Sequence, residues 1–329
     1  MGMRQIARMR RGAATAALLT VALTGSLLAG CSSGGGRADA RGEQPGRHPQ
    51  DGDRTSAAPA GPLLAVKIDN VPAARPQTGL DQADIVYAEQ VEGGLSRLMA
   101  VFATKLPSVV GPVRSARESD LEVLRQFHDP TLAFSGAQHK LLPLIDKAPL
   151  TPEPPDKNSG AYFRAGGKVA PHNLYLRPQR LLRSAPGAAA LTTGFRFGAA
   201  PSGGTPETTR TVRFPSARFT FTWSARQHSW LVAMDGTPTV TPDGARVAPA
   251  TVVVQYVRVR ASHFHDVLGN NSPYSETVGS GRAQVLRDGR VFDAHWQRPS
   301  ATDGTRFTTT DGAPMNFAKG QVWVVLAKA

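Results

Sequence analysis

Residue types that could bind or transform a ligand are concentrated in the first half of the chain. Most of them follow apolar runs typical of strands or precede a predicted helix, where loops commonly place functional groups on a rigid scaffold. The candidate binding residues are Asp69, Asn70, Arg75, Arg97, Arg114, Ser115, Arg117, His172 and Asn173, and the candidate catalytic residue is Glu92. A set so rich in arginine predicts a site for an anion.

Arg114 and Arg117 flank the predicted start of a helix, whose unpaired backbone N–H groups favour an anion. Two guanidinium groups at this point could hold a phosphate or a carboxylate through paired hydrogen bonds. The alternative is structural, because buried networks of arginine and carboxylate are common in folded proteins. In that case the two arginines would form internal salt bridges with Asp69, Glu92 and Glu118. The sequence leaves both interpretations open.

Glu92 is the residue best suited to act as a general acid. It precedes Gly93 and Gly94, which would let a polymer approach the backbone closely. A lytic transglycosylase can cleave glycan with one protonated carboxylic acid whose pKa is raised by its surroundings. Glu89, three residues earlier, is expected on the opposite face of the strand and is poorly placed as a second carboxylate. Nearby arginines would lower the pKa of Glu92, which argues against the acid role.

Other nucleophile and metal patterns are weak. Ser115 lies three residues before Glu118, which predicts a capping box at a helix start and explains the serine without chemistry. The chain has no Gly-x-Ser-x-Gly motif and no glycine-rich phosphate loop. His263, His265 and Asp266 lack a convincing further ligand, so we predict neither a metal nor a cofactor. We expect most of the tryptophans to pack in the core of a β domain: Trp223, Trp230, Trp296 and Trp323.

The N-terminus has the pattern of an export signal. Four arginines precede an uncharged run over residues 13–28, which is typical of a signal peptide and short for a spanning helix. The Leu-Ala-Gly-Cys sequence at residues 28–31 resembles the lipobox of bacterial lipoproteins. That resemblance implies cleavage before Cys31, a diacylglyceryl group on its thiol and an acyl chain such as palmitate on the new N-terminus. The arginines at positions 10 and 11 leave Sec and twin-arginine export both open.

Composition excludes several classes of protein. Cys31 is the only cysteine, so the chain has no internal disulfide and no zinc site of paired cysteines. The formal charge is +13, and 13 less the four arginines of residues 1–30 leaves +9 on the mature chain. Outside the cell no nucleic acid is expected as a partner. The remaining candidates are anionic lipids, phosphate-bearing wall polymers and peptide carboxylates, or a colloidal charge with no specific partner.

Composition also divides the chain into segments. We expect a lipoprotein signal peptide over residues 1–30 and a flexible tether over 31–61, which is rich in small and polar residues. A mixed α/β domain is predicted over 62–197 and a mostly antiparallel β domain over 206–329, because alternating apolar residues and Asp-Gly turns dominate the second part. The predicted fold class is therefore α+β.

Within the first domain, residues 63–68 form a mostly apolar run, with Lys67 inside it, that predicts a buried strand. The runs over 83–88 and 95–104 surround a Gly-Gly pair and predict a β-hairpin. A helix is expected to open near residues 114–118, and a second one over 138–147.

Longer motifs resemble the YerB-like lipoproteins of Gram-positive bacteria, a family with a two-part domain of unknown function. The resemblance covers nearly everything from residue 62 to 326 and implies a fold outline and an address in the envelope, but no established reaction. Its motifs are AVKIDN at 65–70, ARPQTGL at 74–80, ADIVY at 83–87, VEGG at 91–94, GPVRSAR at 111–117, APHNLY at 170–175, GSGRA at 279–283 and GQVW at 320–323.

We therefore expect a protein that is lipid-anchored to the outer face of the cell membrane and binds an anionic or glycan ligand of the cell wall, such as a wall polymer or a muropeptide. One alternative is an enzyme that cleaves wall glycan through Glu92. Another is a scaffold for an envelope complex, with the β domain as the docking surface. The sequence does not identify a protein partner.

Overall fold

Apolar runs rich in β-branched residues form the centre of the protein. We describe residues 61–266 and 269–329 from a computed structural model of the chain. The predicted signal peptide, Cys31 and the tether up to residue 60 lie outside the described residues. No helix within the described residues is long and apolar enough to cross a membrane.

The secondary structure of the described residues is dominated by strands. The nineteen strands among these residues are β1 (Leu64–Ile68), β2 (Ile85–Gln90), β3 (Ser96–Phe102), β4 (Thr131–Ala133), β5 (Thr151–Glu153), β6 (Tyr162–Arg164), β7 (Leu174–Leu176), β8 (Thr205–Pro206), β9 (Thr209–Phe214), β10 (Ala217–Ser224), β11 (Ser229–Met234), β12 (Thr237–Pro238), β13 (Thr251–Val257), β14 (Val259–His265), β15 (Asn271–Ser275), β16 (Gly279–Arg287), β17 (Arg290–Arg298), β18 (Arg306–Thr309) and β19 (Val322–Lys328). The helices are α1 (Glu118–Leu124) and α2 (Leu142–Lys147). Short 3-10 turns lie at Pro72–Ala74, Leu80–Gln82, Glu92–Gly94, His139–Leu141, Ser159–Ala161, Pro178–Arg180 and Ala188–Ala190.

One eleven-stranded sheet runs through both halves of the chain. Its order is β18-β17-β16-β13-β19-β2-β3-β1-β4-β5, with β8 paired to β17. The last strand of the chain, β19, lies parallel to both β13 and β2 and so joins strands from the two predicted domains. Its sequence VWVVLAK is buried over all but its last residue, as expected for a central strand covered on both faces.

Two layers cover this sheet. A four-stranded antiparallel sheet, in the order β12-β11-β10-β9, packs its phenylalanines against one face. Phe219 and Phe221 meet the fully buried ring of Trp323 edge-on, with ring centroids 6.2 and 6.0 Å apart. The helices α1 and α2 cover part of the other face. Trp230, Trp296 and Trp323 are buried, which confirms the expected core packing of most tryptophans.

The predicted hairpin is confirmed, because β2 and β3 pair antiparallel and are joined by the turn Glu92–Gly94. The second half is mainly antiparallel, as expected, apart from the parallel pairing of β13 with β19. The mixed α/β character of the first half is correct only in part, because its two helices have seven and six residues and strands dominate. Pairing with strands far away in the sequence places in the sheet residues whose local periodicity does not distinguish helix from strand.

The predicted capping box at Ser115 is wrong. Helix α1 begins at Glu118, and the carboxylate of Asp120 accepts a hydrogen bond of 2.7 Å from the backbone N–H of Arg117. The residues before Arg117 are held in extended conformation instead, since the amide of Arg114 donates to the carbonyl of Lys67 at 2.8 Å. Pairing with the end of β1 therefore delays the helix start, and the N-cap is Arg117, two residues after Ser115.

Candidate anion-binding pocket

A cavity of about 550 Å³ lies where β1 and β2 end and β3 begins. Three arginines, Arg97, Arg114 and Arg117, line it together with the carboxylates of Asp69 and Glu92. We call this cavity the arginine pocket. Its remaining described lining residues are Val71, Val91, Gly93, Leu95, Ser115, Ala137, Gln138, His265, Asp266 and Asn270.

Strand register explains why these charges share one face of the sheet. Lys67 lies opposite Met99, and Glu89 lies opposite Arg97. Because side chains alternate between the two faces of a strand, Lys67, Glu89 and Arg97 point to the same side, and Asp69 follows Lys67 two positions later. The same face carries α1, so the pocket forms where the helix entry meets the strand ends.

Arg97 has the most unusual environment in the pocket. Its residue is 9% exposed, and its Nη1 donates one hydrogen bond of 3.2 Å to the backbone carbonyl of Ser115. No carboxylate among the described residues lies within 4 Å of its guanidinium. Burial, followed by the charge of Arg117, lowers the pKa of Arg97 to about 10, so it remains protonated at neutral pH. It is a buried cation whose donors are only partly used.

Arg114 is also only partly engaged. Its Nε lies 3.3 Å from Oδ2 of Asp69, and 27% of its side chain is exposed. Its two terminal nitrogens make no hydrogen bond within the described part of the chain. The same Oδ2 of Asp69 accepts a hydrogen bond of 2.8 Å from Nδ1–H of His172. Asp69 therefore orients Arg114 and is itself also held by the hydrogen bond from His172.

Arg117, in contrast, is paired with a carboxylate, and each of its three side-chain nitrogens makes a hydrogen bond. Its Nε and Nη2 donate to the two carboxylate oxygens of Glu92 at 2.6 and 2.8 Å, and its Nη1 donates to the carbonyl of Ala116 at 2.9 Å. The hydroxyl of Ser272 donates to Glu92 as well. Burial alone would raise the pKa of Glu92, but the hydrogen bonds and charge of Arg117 and the Ser272 hydroxyl outweigh it and hold that pKa below its ordinary value. This environment keeps Glu92 ionised and favours a structural role over that of a general acid.

Four of the predicted site residues do not line the arginine pocket: Asn70, Arg75, His172 and Asn173. Of these, His172 is connected to it through its hydrogen bond to Asp69. Asn70 points to the opposite face, where its Nδ2 donates to Ser96 Oγ at 2.8 Å. Arg75 spans to the four-stranded sheet and donates to Asp235 Oδ2 at 2.6 Å and to the carbonyl of Met234 at 3.1 Å. Asn173 accepts from Arg164 at 2.7 Å within the loop that carries His172.

Ser115 does border the pocket, and its carbonyl holds Arg97. Within the described residues, the Ser115 hydroxyl makes no hydrogen bond to a side chain that could act as a general base. Gln138 adds a donor to the pocket. Its Oε1 accepts a hydrogen bond of 2.8 Å from the amide of Lys140, and its Nε2 makes no hydrogen bond within these same residues. The turn glycines differ: Gly93 is open toward the pocket, whereas a side chain at Gly94 would meet Pro215.

The sequence did not lead us to predict the buried charge cluster that lies beneath the pocket. Lys67 is fully buried, and its Nζ donates to Glu89 and, at 2.7 Å, to Asp120. Burial, followed by the charge of Asp120, raises the pKa of Glu89. The available signal was a lone lysine inside an apolar strand, because a charge in such a position needs a buried partner.

The second half of the chain completes the pocket. The hairpin formed by β14 and β15 contributes His265 and Asn270 to the lining and the Ser272 hydroxyl to Glu92. It is fastened to α1, because Tyr274 donates to Glu122. No sequence pattern links these residues to a site nearly two hundred positions earlier. Across residues 61–266 and 269–329, no group of three or more histidine, cysteine or acidic side chains could hold a metal ion.

The arrangement suits binding of an anion more than catalysis. Arg97, Arg114 and Gln138 offer unused N–H donors around one cavity. The three carboxylates of the lining, Asp69, Glu92 and Asp266, each accept hydrogen bonds from partners within the protein. Oriented guanidinium groups bind phosphate or carboxylate oxygens through charge-assisted hydrogen bonds. The apolar residues Val91 and Leu95 line the same cavity and could contact a nonpolar part of the ligand.

Two family models match the chain in succession. Both carry the description "Protein of unknown function (DUF3048)", the N-terminal domain over residues 50–191 and the C-terminal domain over residues 210–324. Together they cover most of the described residues, and the arginine pocket takes residues from both.

A curated relative and a solved structure point the same way. The chain is 24% identical over 282 residues to "Putative lipoprotein YerB" of Bacillus subtilis (strain 168), covering 79% of this chain and 80% of that protein. It is also similar to the crystal structure of YerB protein from Bacillus subtilis, with a TM-score of 0.67 and 21% identity, covering 82% of this chain and 91% of that chain. This second likeness shows a shared fold.

Proposed function

Because the chain belongs to this two-part family of unknown function, DUF3048, we propose that it is lipid-anchored to the outer face of the cell membrane and binds an anionic or glycan ligand of the cell wall. The pocket favours the anionic ligand. Cys31 is the proposed lipidation site, and the arginine pocket is the proposed binding site. The two parts of the proposal rest on different observations.

The anchor is supported by the lipobox at residues 28–31 and by the absence of any other cysteine in the sequence. The name of the Bacillus subtilis relative is consistent with it. An anchor of two or three acyl chains holds a protein stably at a bilayer, whereas one chain binds only marginally.

The binding site is supported above all by Arg97. A cation nine-tenths buried, with no carboxylate within 4 Å in the described chain, is costly to desolvate and gains strongly from an anion that enters the cavity. Arg114, at the wall of the same cavity, leaves its terminal nitrogens available. A phosphate or carboxylate group of a wall polymer or muropeptide has the matching chemistry.

The geometry gives less support to a glycan-cleaving enzyme. Glu92 would have to be protonated to act as the acid, and Arg117 holds it in the ionised form. The mature protein incubated with purified peptidoglycan should therefore release no muropeptides detectable by mass spectrometry. Their release would establish the enzymatic alternative.

The binding proposal is tested by thermal melting of the mature protein with inorganic phosphate or with purified muropeptides. Wild type should be stabilised in proportion to the logarithm of ligand concentration. Arg97→Met should lose this stabilisation while melting at or above the wild-type temperature, because removing an uncompensated buried charge does not destabilise the core. Arg180→Gln, at an exposed arginine outside the pocket, is the matched control and should behave like wild type. Equal stabilisation of wild type and Arg97→Met would contradict the proposal.

A further inference from the structure

A second cavity lies at the other ends of the central strands, opposite the arginine pocket. It has a volume of about 630 Å³ and lies where β2 and β19 begin and β3 ends. Phe195, Phe197 and Leu191 form its apolar wall, and Lys105 and Lys319 stand at its rim. We call it the anchor-side groove, because the chain enters the fold beside it.

Phe197 is held rigidly in an exposed position. It is 46% exposed, and its ring packs edge-on against the buried ring of Phe317 at a centroid distance of 6.2 Å. Phe195 packs on the same ring at 5.0 Å. Of the large hydrophobic residues exposed in the described parts of the chain, Phe197 is the one aromatic. An aromatic ring supported in this way can enter a lipid interface without any loss of core packing.

Two lysines line the groove together with the exposed ring. Lys105 and Lys319 are both exposed, and no described carboxylate lies within 4 Å of either of them. Two acids also line the groove. Asp84 is turned inward to accept the amides of Ala103 and Thr104 at 2.6 and 2.9 Å, which leaves Asp81 as the exposed acid. The rim therefore carries an excess of available positive charge.

The chain enters the fold at this same edge. Gly61, the first described residue, directly precedes β1, and Leu64 at the start of β1 pairs with Phe102 at the end of β3. Lys105 follows β3 closely. In the segment after β7, the amide of Gly187 donates to the carbonyl of Ala103 at 2.8 Å, and the next residue lines the groove. The point where the fold joins residue 60 thus lies beside the groove.

The two cavities lie at opposite ends of β2. Strand β2 has six residues, which at about 3.3 Å per residue places the groove roughly 20 Å from the arginine pocket at its other end. Residues 31–61 span at most about 100 Å, so a lipid on Cys31 keeps the fold within reach of the bilayer. Under this restraint, weak contacts between the fold and the membrane act at a high effective concentration.

We propose that the anchor-side groove rests on the membrane, with Phe197 in the headgroup region and Lys105 and Lys319 against anionic lipid headgroups. The fold then stands with the arginine pocket directed away from the bilayer, toward the wall. Exposed apolar rings combined with basic side chains are the chemistry by which proteins bind anionic interfaces. This inference rests on the lipid anchor proposed above and is independent of any ligand in the arginine pocket.

The test uses the lipidated protein in vesicles that contain a lipid-bound quencher. The thiol of Cys31 carries the lipid, so a cysteine introduced elsewhere is the single free thiol for a fluorescent label. Ala199→Cys is exposed and close to Phe197, and Val169→Cys, 75% exposed on the loop near His172, is the matched control at the opposite edge. In phosphatidylglycerol vesicles the label at 199 should be quenched several times more than the label at 169. Adding Phe197→Ser or Lys105→Glu with Lys319→Glu, or using phosphatidylcholine alone, should remove most of that difference.

Vesicle flotation separates the possible failures. Protein that does not float with the vesicles lacks the anchor, which overturns the anchor and the orientation together. Protein that floats but shows equal quenching at 199 and 169, or none at 199, keeps the anchor and overturns the orientation. Melting curves of the charge-reversed variant confirm that it is folded, because both lysines are exposed and unpaired within the described chain.

Discussion

Replacing Arg114 and Arg117 separately by alanine should have opposite consequences, although the two residues are only three positions apart. Arg114 is 27% exposed and makes one side-chain contact, with Asp69, which keeps His172 as a partner after the change. A partly exposed pair of this kind contributes about 0–1 kcal/mol, so Arg114→Ala should lower the melting temperature by at most about 4 °C.

Arg117→Ala strands a buried carboxylate. Glu92 loses both of its guanidinium hydrogen bonds and keeps only Ser272 as a side-chain partner. Removing one member of a buried ion pair costs roughly 3–5 kcal/mol, which corresponds to a fall of about 6–20 °C in melting temperature for a domain of this size.

Ligand binding should separate the same two variants further. Loss of a charged contact to an enclosed anion costs about 2–5 kcal/mol, so Arg114→Ala should weaken binding by about 30-fold to several thousand-fold. The assay is calorimetric titration with muropeptides, combined with melting curves with and without phosphate. The reasoning is refuted if Arg114→Ala melts as low as Arg117→Ala and wild type gains no stability from either ligand. That outcome would make the arginine pocket a purely structural charge network.

Three further predictions concern the anchor, the buried cluster and acid stability. Cys31→Ala should abolish labelling by a fatty-acid analogue and either release the protein from the membrane fraction or leave it uncut; an unchanged labelled band in the variant would end the anchor hypothesis. Lys67→Met should destabilise the fold by roughly 3–5 kcal/mol in chemical denaturation, because the buried carboxylates of Glu89 and Asp120 lose their cation, whereas Lys105→Met at the surface should change little. The folded-state pKa of Glu92 lies below its ordinary value of 4.5, so its contribution to stability is present above that pH and is lost as the pH falls through the folded-state pKa. Glu92→Gln should therefore flatten the acid side of the stability–pH curve, and an unchanged slope below pH 4.5 would contradict the assignment.

Local patterns in the sequence predicted the features that depend on neighbouring residues. The apolar run before Asp69 is β1, and the two runs around the Gly-Gly pair are β2 and β3. The export signal and the lipidation of Cys31 rest on contiguous motifs too and remain predictions, since they lie outside the described residues. Residues whose roles depend on near neighbours could be found in this way because periodicity and turn chemistry act over a few positions.

The sequence placed several charged residues in one cluster without distinguishing their partners. Arg75 pairs with Asp235, 160 positions away, and Glu92 meets Ser272, 180 positions away. Nothing near Arg97 in the sequence indicates that it, and not Arg117, lacks a carboxylate partner within 4 Å in the described chain. The difference arises because Arg117 reaches both oxygens of Glu92, while register places Arg97 beside Glu89, whose charge is taken by Lys67.

By itself the sequence determined the main strand-forming segments and the concentration of arginine near the ends of the first strands. Only the tertiary structure decided that β19 unites both halves in one sheet, that a hairpin from the second half completes the arginine pocket, and that the entry of the chain lies at the opposite edge. The physical reason is that strand pairing and burial join residues far apart in the chain. The hydrogen bonds and charges that remain available to a ligand are those left over once these distant partners have met.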